Sequence, residues 1–261
     1  MIEHHPVIFV GAGPGDPELI TVKGQKALAG ADLVLYAGSL VSPAILEWTN
    51  PEAECIDTAA LNLEEILHRI MAGYRAGKRV VRVHSGDPSL YGAIQEQLEV
   101  LERAEIPCKV IPGVTAAFAT AAALAQELTL PEVTQTVILT RAAGRTPVPR
   151  GETLSDLARH GSTLVIYLSI KLIDRVVADL TAAYPPETPV VVAYRVSWPD
   201  QRLIRGTLAT IAGLVKEAGI ERQALIVVSP ALAARTGQLQ ARSKLYDQAF
   251  SHGFRVGAGD Q

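Results

Sequence analysis

Cysteine is nearly absent from this chain: Cys55 and Cys108 are the only two among 261 residues. Neither belongs to a paired metal-type spacing, so both are read as small hydrophobes buried in apolar, strand-like segments. The six histidines are scattered, with only His4 and His5 adjacent. No helical His pair and no Cys/His cluster exists, so no protein-bound metal is expected. Charge of one sign is also lacking. A net charge of −3 leaves no basic footprint for nucleic acid. No apolar run is long enough to span a bilayer, so no membrane partner is expected. The segment Met1 to Pro6 has no charged-then-apolar export pattern, which gives a cytoplasmic expectation. Against these absences, 48% hydrophobic and 20% charged residues make an ordinary globular composition, long enough for one large or two modest domains.

Short β-branched runs alternate with amphipathic stretches, the pattern of an α/β protein. Strands are predicted at Val7–Val10, Leu33–Tyr36, Val80–Val83 and Cys108–Ile111, with helices at Pro17–Gly30, Leu63–Tyr74, Tyr91–Arg103 and Ala116–Leu128. Asp16 is placed to cap the first helix with Pro17 at its first position, and Asn62 with Glu65 forms a capping-box pattern. A second series follows Pro131, with strands at Gln135–Thr140, Thr163–Leu168, Val190–Tyr194, Arg202–Arg205 and Ala224–Val228. Its helices fall near Thr153–His160, Leu172–Ala183 and Leu208–Ala218. The turn around Ser197-Trp198-Pro199-Asp200 predicts antiparallel pairing there. The expected organisation is two α/β domains with a cleft between them, the first sheet mostly parallel and the second mixed. Residues 1–115 form the first domain, 116–134 a connecting helix and linker, 135–237 the second domain and 238–261 a polar tail frayed at its end.

Three small-residue loops follow predicted strands and open helices. They are Val10-Gly11-Ala12-Gly13-Pro14-Gly15-Asp16, Ser85-Gly86-Asp87-Pro88-Ser89-Leu90-Tyr91-Gly92 and Pro112-Gly113-Val114-Thr115-Ala116. Such loops let backbone groups approach a ligand at the carboxyl ends of strands. Each alone also reads as a tight structural turn or a helix cap. A dinucleotide fingerprint would want Gly where Asp16 stands and an acid closing the second strand, which instead ends Tyr36-Ala37-Gly38. Nicotinamide binding is therefore disfavoured.

Taken in order, the loops resemble the tetrapyrrole (corrin/porphyrin) methylase family. The resemblance runs from about residue 6 to about residue 250 and includes Leu19 to Gly24, Thr163 to Leu168 and the strand entering Tyr194-Arg195. It implies two α/β domains, a homodimer and S-adenosylmethionine bound in the cleft, with S-adenosylhomocysteine as product. Four segments carry a finer resemblance, to members that methylate C-11 of precorrin-4 or cobalt-precorrin-4. These are Tyr36 to Val41, Thr134 to Arg141, Gly144 to Pro149 and Tyr194 to Gln201. The sirohaem-type relatives carry Asp where Ala37 stands, which removes that general-base candidate here. By position, the resemblance implies cofactor contacts at Pro14, Ser85, Gly86, Asp87, Leu90, Thr115, Ala116, Leu168 and Val196.

Methyl transfer from a sulfonium needs no protein nucleophile, and no triad is expected from Ser39 or His84. A substrate rich in carboxylates calls for arginine. Arg141, Arg145 and Arg195 are the substrate-binding candidates, among loop cations that also include Arg150, Lys171 and Arg202. Tyr36, His84 and Asp200 are candidates for accepting the proton that the methylated product must lose. Trp198 either stacks on the macrocycle or packs its own turn.

Overall fold

Five strands build the first sheet: β1 (Val7–Gly11), β2 (Leu33–Tyr36), β3 (Glu54–Asp57), β4 (Val80–His84) and β5 (Cys108–Ile111). Their order is β3-β2-β4-β1-β5 and every pairing is parallel. Alternation along each strand sends side chains to two cores. Phe9, Leu35, Ile70 and Leu101 pack on one face, and Val10, Leu28, Val34 and Val83 on the other. The covering helices are α1 (Val22–Ala29), α2 (Leu63–Arg75) and α3 (Gln95–Arg103), and α4 (Ala116–Leu124) follows β5. This computed structural model describes residues 4–236, 243 and 247–258.

The second sheet contains β6 (Val137–Arg141), β7 (Thr163–Tyr167), β8 (Pro189–Tyr194), β9 (Arg202–Thr207) and β10 (Ala224–Val228), in the order β6-β7-β10-β8-β9. Only β6 and β7 pair in parallel, so the sheet is mixed, as its sequence pattern predicts. Helices α5 (Leu154–Ala158), α6 (Ile173–Thr181) and α7 (Ile211–Glu217) enclose a core that includes Leu164, Ile166, Leu180, Val192, Ile211 and Ile226. The chain divides into two units. One is Met1–Ala123 with Arg195–Gln201, and the other is Leu124–Tyr194 with Arg202–Gln261. Among the described residues, no helix is long and apolar enough to cross a membrane.

Four sequence expectations are corrected. The helix expected over Pro17–Gly30 is two pieces, a 3-10 turn at Pro17–Leu19 and then α1. The Thr21 hydroxyl accepts the Gly24 amide at 3.1 Å and starts α1 afresh, while Asp16 caps only the short turn. The helix expected from Tyr91 begins at Gln95, because Tyr91 and Ala93 hold left-handed backbone with φ 57° and 48°. The alanine-rich helix stops at Leu124 rather than Leu128, since Ala125 turns left-handed with φ 48°. Cys55 is exposed and Cys108 half-buried, because β3 and β5, which carry them, are the two edges of the sheet. Part of the expected polar tail, including its last three residues 259–261, lies outside the described residues.

Candidate ligand site on the first sheet

Strands β4, β1 and β5 are neighbours, so their carboxyl ends set the three glycine loops side by side. The loops are stitched by their backbones. The Ala12 amide donates to His84 O at 2.8 Å, the Gly13 amide to Gly86 O at 3.2 Å and the Gly86 amide to Gly13 O at 2.8 Å. Gly11 and Gly113 allow this approach: a Cβ on Gly113 would lie 2.1 Å from Gly86 O and 2.8 Å from Gly11 Cα. Gly86 is required for another reason, a φ of +62°, and a Cβ there would meet nothing nearer than Thr115 Cα at 3.7 Å.

Asp87 locks the second loop to the third. Its Oδ2 accepts the Gly113 amide at 2.8 Å, and its Oδ1 accepts the Ser89 amide at 2.9 Å and the Ser89 hydroxyl. Burial works against its charge. The hydrogen bonds from Ser89 and Gly113 more than offset that, so the carboxyl sits below its ordinary range and is ionised at neutral pH.

A distant segment completes this surface. Residues Arg195–Gln201 belong to the first unit. Trp198 Nε1 donates to Pro14 O at 3.0 Å, and the Asp16 amide donates to Ser197 Oγ at 3.0 Å. The indole lies where a side chain on Gly15 would be, 2.1 Å from that Cβ position. Trp198 therefore packs the turn, with the Arg195 guanidinium 4.0 Å above its ring. Arg195 and Ser197 hold φ of 45° and 68°, a left-handed backbone that non-glycine residues seldom adopt away from constrained sites.

Of the residues singled out in the sequence, the first unit brings together Pro14, Ser85, Gly86, Asp87, Leu90, Thr115, Ala116 and Val196. Pro14, Thr115 and Val196 are buried, and Ser85, Gly86, Leu90 and Ala116 are half-buried. Leu168 belongs to the second unit, where it follows β7 with φ 54° and is 67% exposed. A leucine in that left-handed backbone is uncommon.

The acid–base and cationic candidates differ in freedom. Burial first, and then the Asp57 charge, push the Tyr36 phenol up. His84 is buried and its pKa is lowered to about 3, by desolvation and then by the Arg82 charge, so it is neutral at pH 7. Asp200 pairs with Arg195. In the second unit, Arg141 donates to the carbonyls of Ala142, Thr146 and Pro147, which folds the following loop around its guanidinium. Arg202 lies over the Tyr194 ring at 4.7 Å. Arg145 is exposed and makes no ion pair among the described residues. Sequence reasoning passed over Arg82 and Thr58. The available signal was an arginine inside Val80-Val81-Arg82-Val83-His84, a strand otherwise patterned for burial on both faces.

A fully parallel sheet crowned by backbone-rich loops in one unit, with a mixed sheet in a second, is the architecture of the tetrapyrrole (corrin/porphyrin) methylases. The model of that family matches residues 6–212, and the chain belongs to it. It is 51% identical over 256 residues to the cobalt-precorrin-4 C(11)-methyltransferase of Methanocaldococcus jannaschii, covering 98% of each chain. The X-ray structure of a cobalt precorrin-4 methyltransferase is similar with a TM-score of 0.84 and 48% identity, over 87% of this chain and 95% of that one. Uroporphyrin-III C-methyl transferase from Thermus thermophilus, complexed with S-adenosyl homocysteine, is similar with a TM-score of 0.73 and 28% identity, over 88% of this chain and all of that one.

Proposed function

We propose that this protein transfers a methyl group from S-adenosylmethionine to C-11 of precorrin-4 or cobalt-precorrin-4, as a cytoplasmic homodimer. The observation that carries the reading is the end-to-end 51% identity with a cobalt-precorrin-4 C(11)-methyltransferase. The loop crest suits such a donor. Small side chains leave the Gly86 backbone approachable, and an ionised Asp87 suits a ligand bearing a positive charge and hydroxyl groups.

When bound, the donor supplies an electrophilic methyl on a sulfonium that departs as a neutral thioether. In the first unit, Pro14, Ser85, Gly86, Asp87, Leu90, Thr115, Ala116 and Val196 would hold it. Asp87 keeps two of the loops in register, and Trp198 fixes the Pro14 carbonyl. Leu168 offers an apolar face in the second unit. Arg145 makes no ion pair among the described residues, which suits it to a substrate carboxylate. Arg141 shapes the loop that carries Arg145, and Arg195 acts with Asp200. No side chain is needed as nucleophile, because the ring carbon attacks the methyl directly. The residues' task is to hold donor and acceptor in line and keep water out. Proton release follows, with Asp200 as the proposed acceptor, because the Tyr36 phenol, pushed up by burial and the Asp57 charge, already holds its proton at neutral pH, and His84, its pKa lowered to about 3, resists taking one.

Purified protein incubated with S-adenosylmethionine and precorrin-4, with and without cobalt, tests this. The expected product is one methyl group heavier, with NMR placing the new methyl on C-11. Absence of methyl incorporation from either substrate would overturn the reading. Light scattering at a dimer mass checks the oligomeric state.

A further inference from the structure

Arg82 is a charge without an answer. It sits on β4, the central strand of the first sheet, and is 5% exposed. Burying a guanidinium is expensive unless an anion and hydrogen bonds compensate it. Its Nη1 donates to Thr58 Oγ1 at 3.0 Å, and that hydroxyl donates in turn to Tyr36 O at 3.1 Å. Arg82 makes no ion pair among the described residues, and its Nε is buried with no acceptor. Burial pulls its pKa to about 10, which still leaves it charged at neutral pH.

Two residues along, on the same face of the strand, His84 is also 5% exposed, and its Nε2 is likewise buried and unpartnered. Its ring stacks on Phe9 with centroids 5.9 Å apart, which fixes its plane. Two buried nitrogens on one face, Arg82 Nε and His84 Nε2, have no partner, and the first belongs to a cation paired only with the Thr58 hydroxyl, an arrangement that a bound anion would compensate. His84 closes β4 at the carboxyl end of the sheet, where Ser85-Gly86-Asp87 follows directly, and Arg82 lies two residues before it in the same strand.

We propose that Arg82 and His84 form a carboxylate-binding subsite, in which Arg82 Nε–H and His84 Nε2–H both donate to one carboxylate of a bound ligand. The carboxylate comes either from the amino-acid end of the methyl donor or from an acidic arm of the tetrapyrrole. That choice of ligands rests on the proposed function.

The test compares the full-length protein with its Arg82→Met variant by calorimetry, using S-adenosylhomocysteine and uroporphyrin as probes, alongside chemical denaturation. Removing a buried unpaired charge should leave stability unchanged or raised, while affinity for one probe falls about 10- to 100-fold. Loss confined to S-adenosylhomocysteine assigns the donor's carboxylate, and loss confined to uroporphyrin assigns the substrate's. If both affinities stay within about twofold of the parent protein, Arg82 has a purely structural role and the proposal falls. Should the variant fail to fold, the unaltered protein with 15N-labelled histidine decides. A saturable shift of His84 Nε2 is expected with acetate and with the ligand that occupies the subsite. No shift with acetate, S-adenosylhomocysteine or uroporphyrin overturns it. A protein that shows the shift but transfers no methyl group would lose the proposed activity and keep the subsite.

Discussion

Gly11 and Gly113 are packing residues, since backbone from a neighbouring strand end occupies the space a side chain would need. Gly113→Ala should therefore destabilise the first unit by about 1–3 kcal/mol, the ordinary range for overpacking. Affinity for S-adenosylhomocysteine should fall with it. Denaturant titration and calorimetry on the same sample check both effects, and unchanged stability would contradict the packing account. His84 acts through protonation instead. Its folded pKa of about 3 lies below the unfolded value of about 6.5. Above pH 6.5 the ring is neutral in both states and its contribution to stability is complete. As pH falls toward 3 the unfolded chain takes up a proton that the folded chain refuses, so stability is lost across that window. His84→Gln should flatten the decline, measured as unfolding free energy at a series of pH values between about 6 and 4. An identical slope in the variant would mean that other groups carry the acid sensitivity.

At the scale of elements, α2 shows what local sequence can specify. Asn62 Oδ1 accepts the Glu65 amide at 3.0 Å, Glu65 Oε2 accepts the Asn62 amide at 2.8 Å, and Ile66, Leu67 and Ile70 face the core. Asn62→Ala should cost about 1 kcal/mol by loss of the cap, read from the denaturation midpoint; no change would show the box to be ornamental. Helix, cap and periodicity all lie within a few residues of each other, so this element was legible in the sequence. The three glycine loops were legible for the same reason. The start of α3 was not, because left-handed backbone at Tyr91 and Ala93 is imposed by surroundings and leaves no composition signal. Strand β3 was read only as a strand-like segment around Cys55 and given no bounds, because Glu54-Cys55-Ile56-Asp57 presents only two apolar residues between acids. It forms by pairing with β2, a contact that propensity does not encode. Arg82 was overlooked because an arginine in a strand reads as exposed until the sheet order places that strand in the middle.

At the scale of the whole chain, sequence order and spatial order part company at Arg195–Gln201. These residues connect β8 to β9, yet they belong to the unit built by the first 123 residues. The turn motif was visible in the sequence, but nothing local says that its indole lies against Gly15 and bonds to Pro14 O at 3.0 Å. That contact makes a direct prediction about long-range dependence. Trp198→Ala removes the ring that fills the space over the first glycine loop and should destabilise the protein by about 2–3 kcal/mol, at the low end for large-to-small changes because the ring is only half-buried. Trp198→Phe keeps most of the packing and loses one hydrogen bond, for about 1 kcal/mol. Affinity for S-adenosylhomocysteine should fall in the same order, alanine more than phenylalanine, because both changes loosen the Pro14 carbonyl. Denaturation and calorimetry on the two variants distinguish this from a direct stacking role on the macrocycle. If Trp198 served only the substrate, Trp198→Ala would lower uroporphyrin affinity and leave both stability and S-adenosylhomocysteine affinity at the parent value.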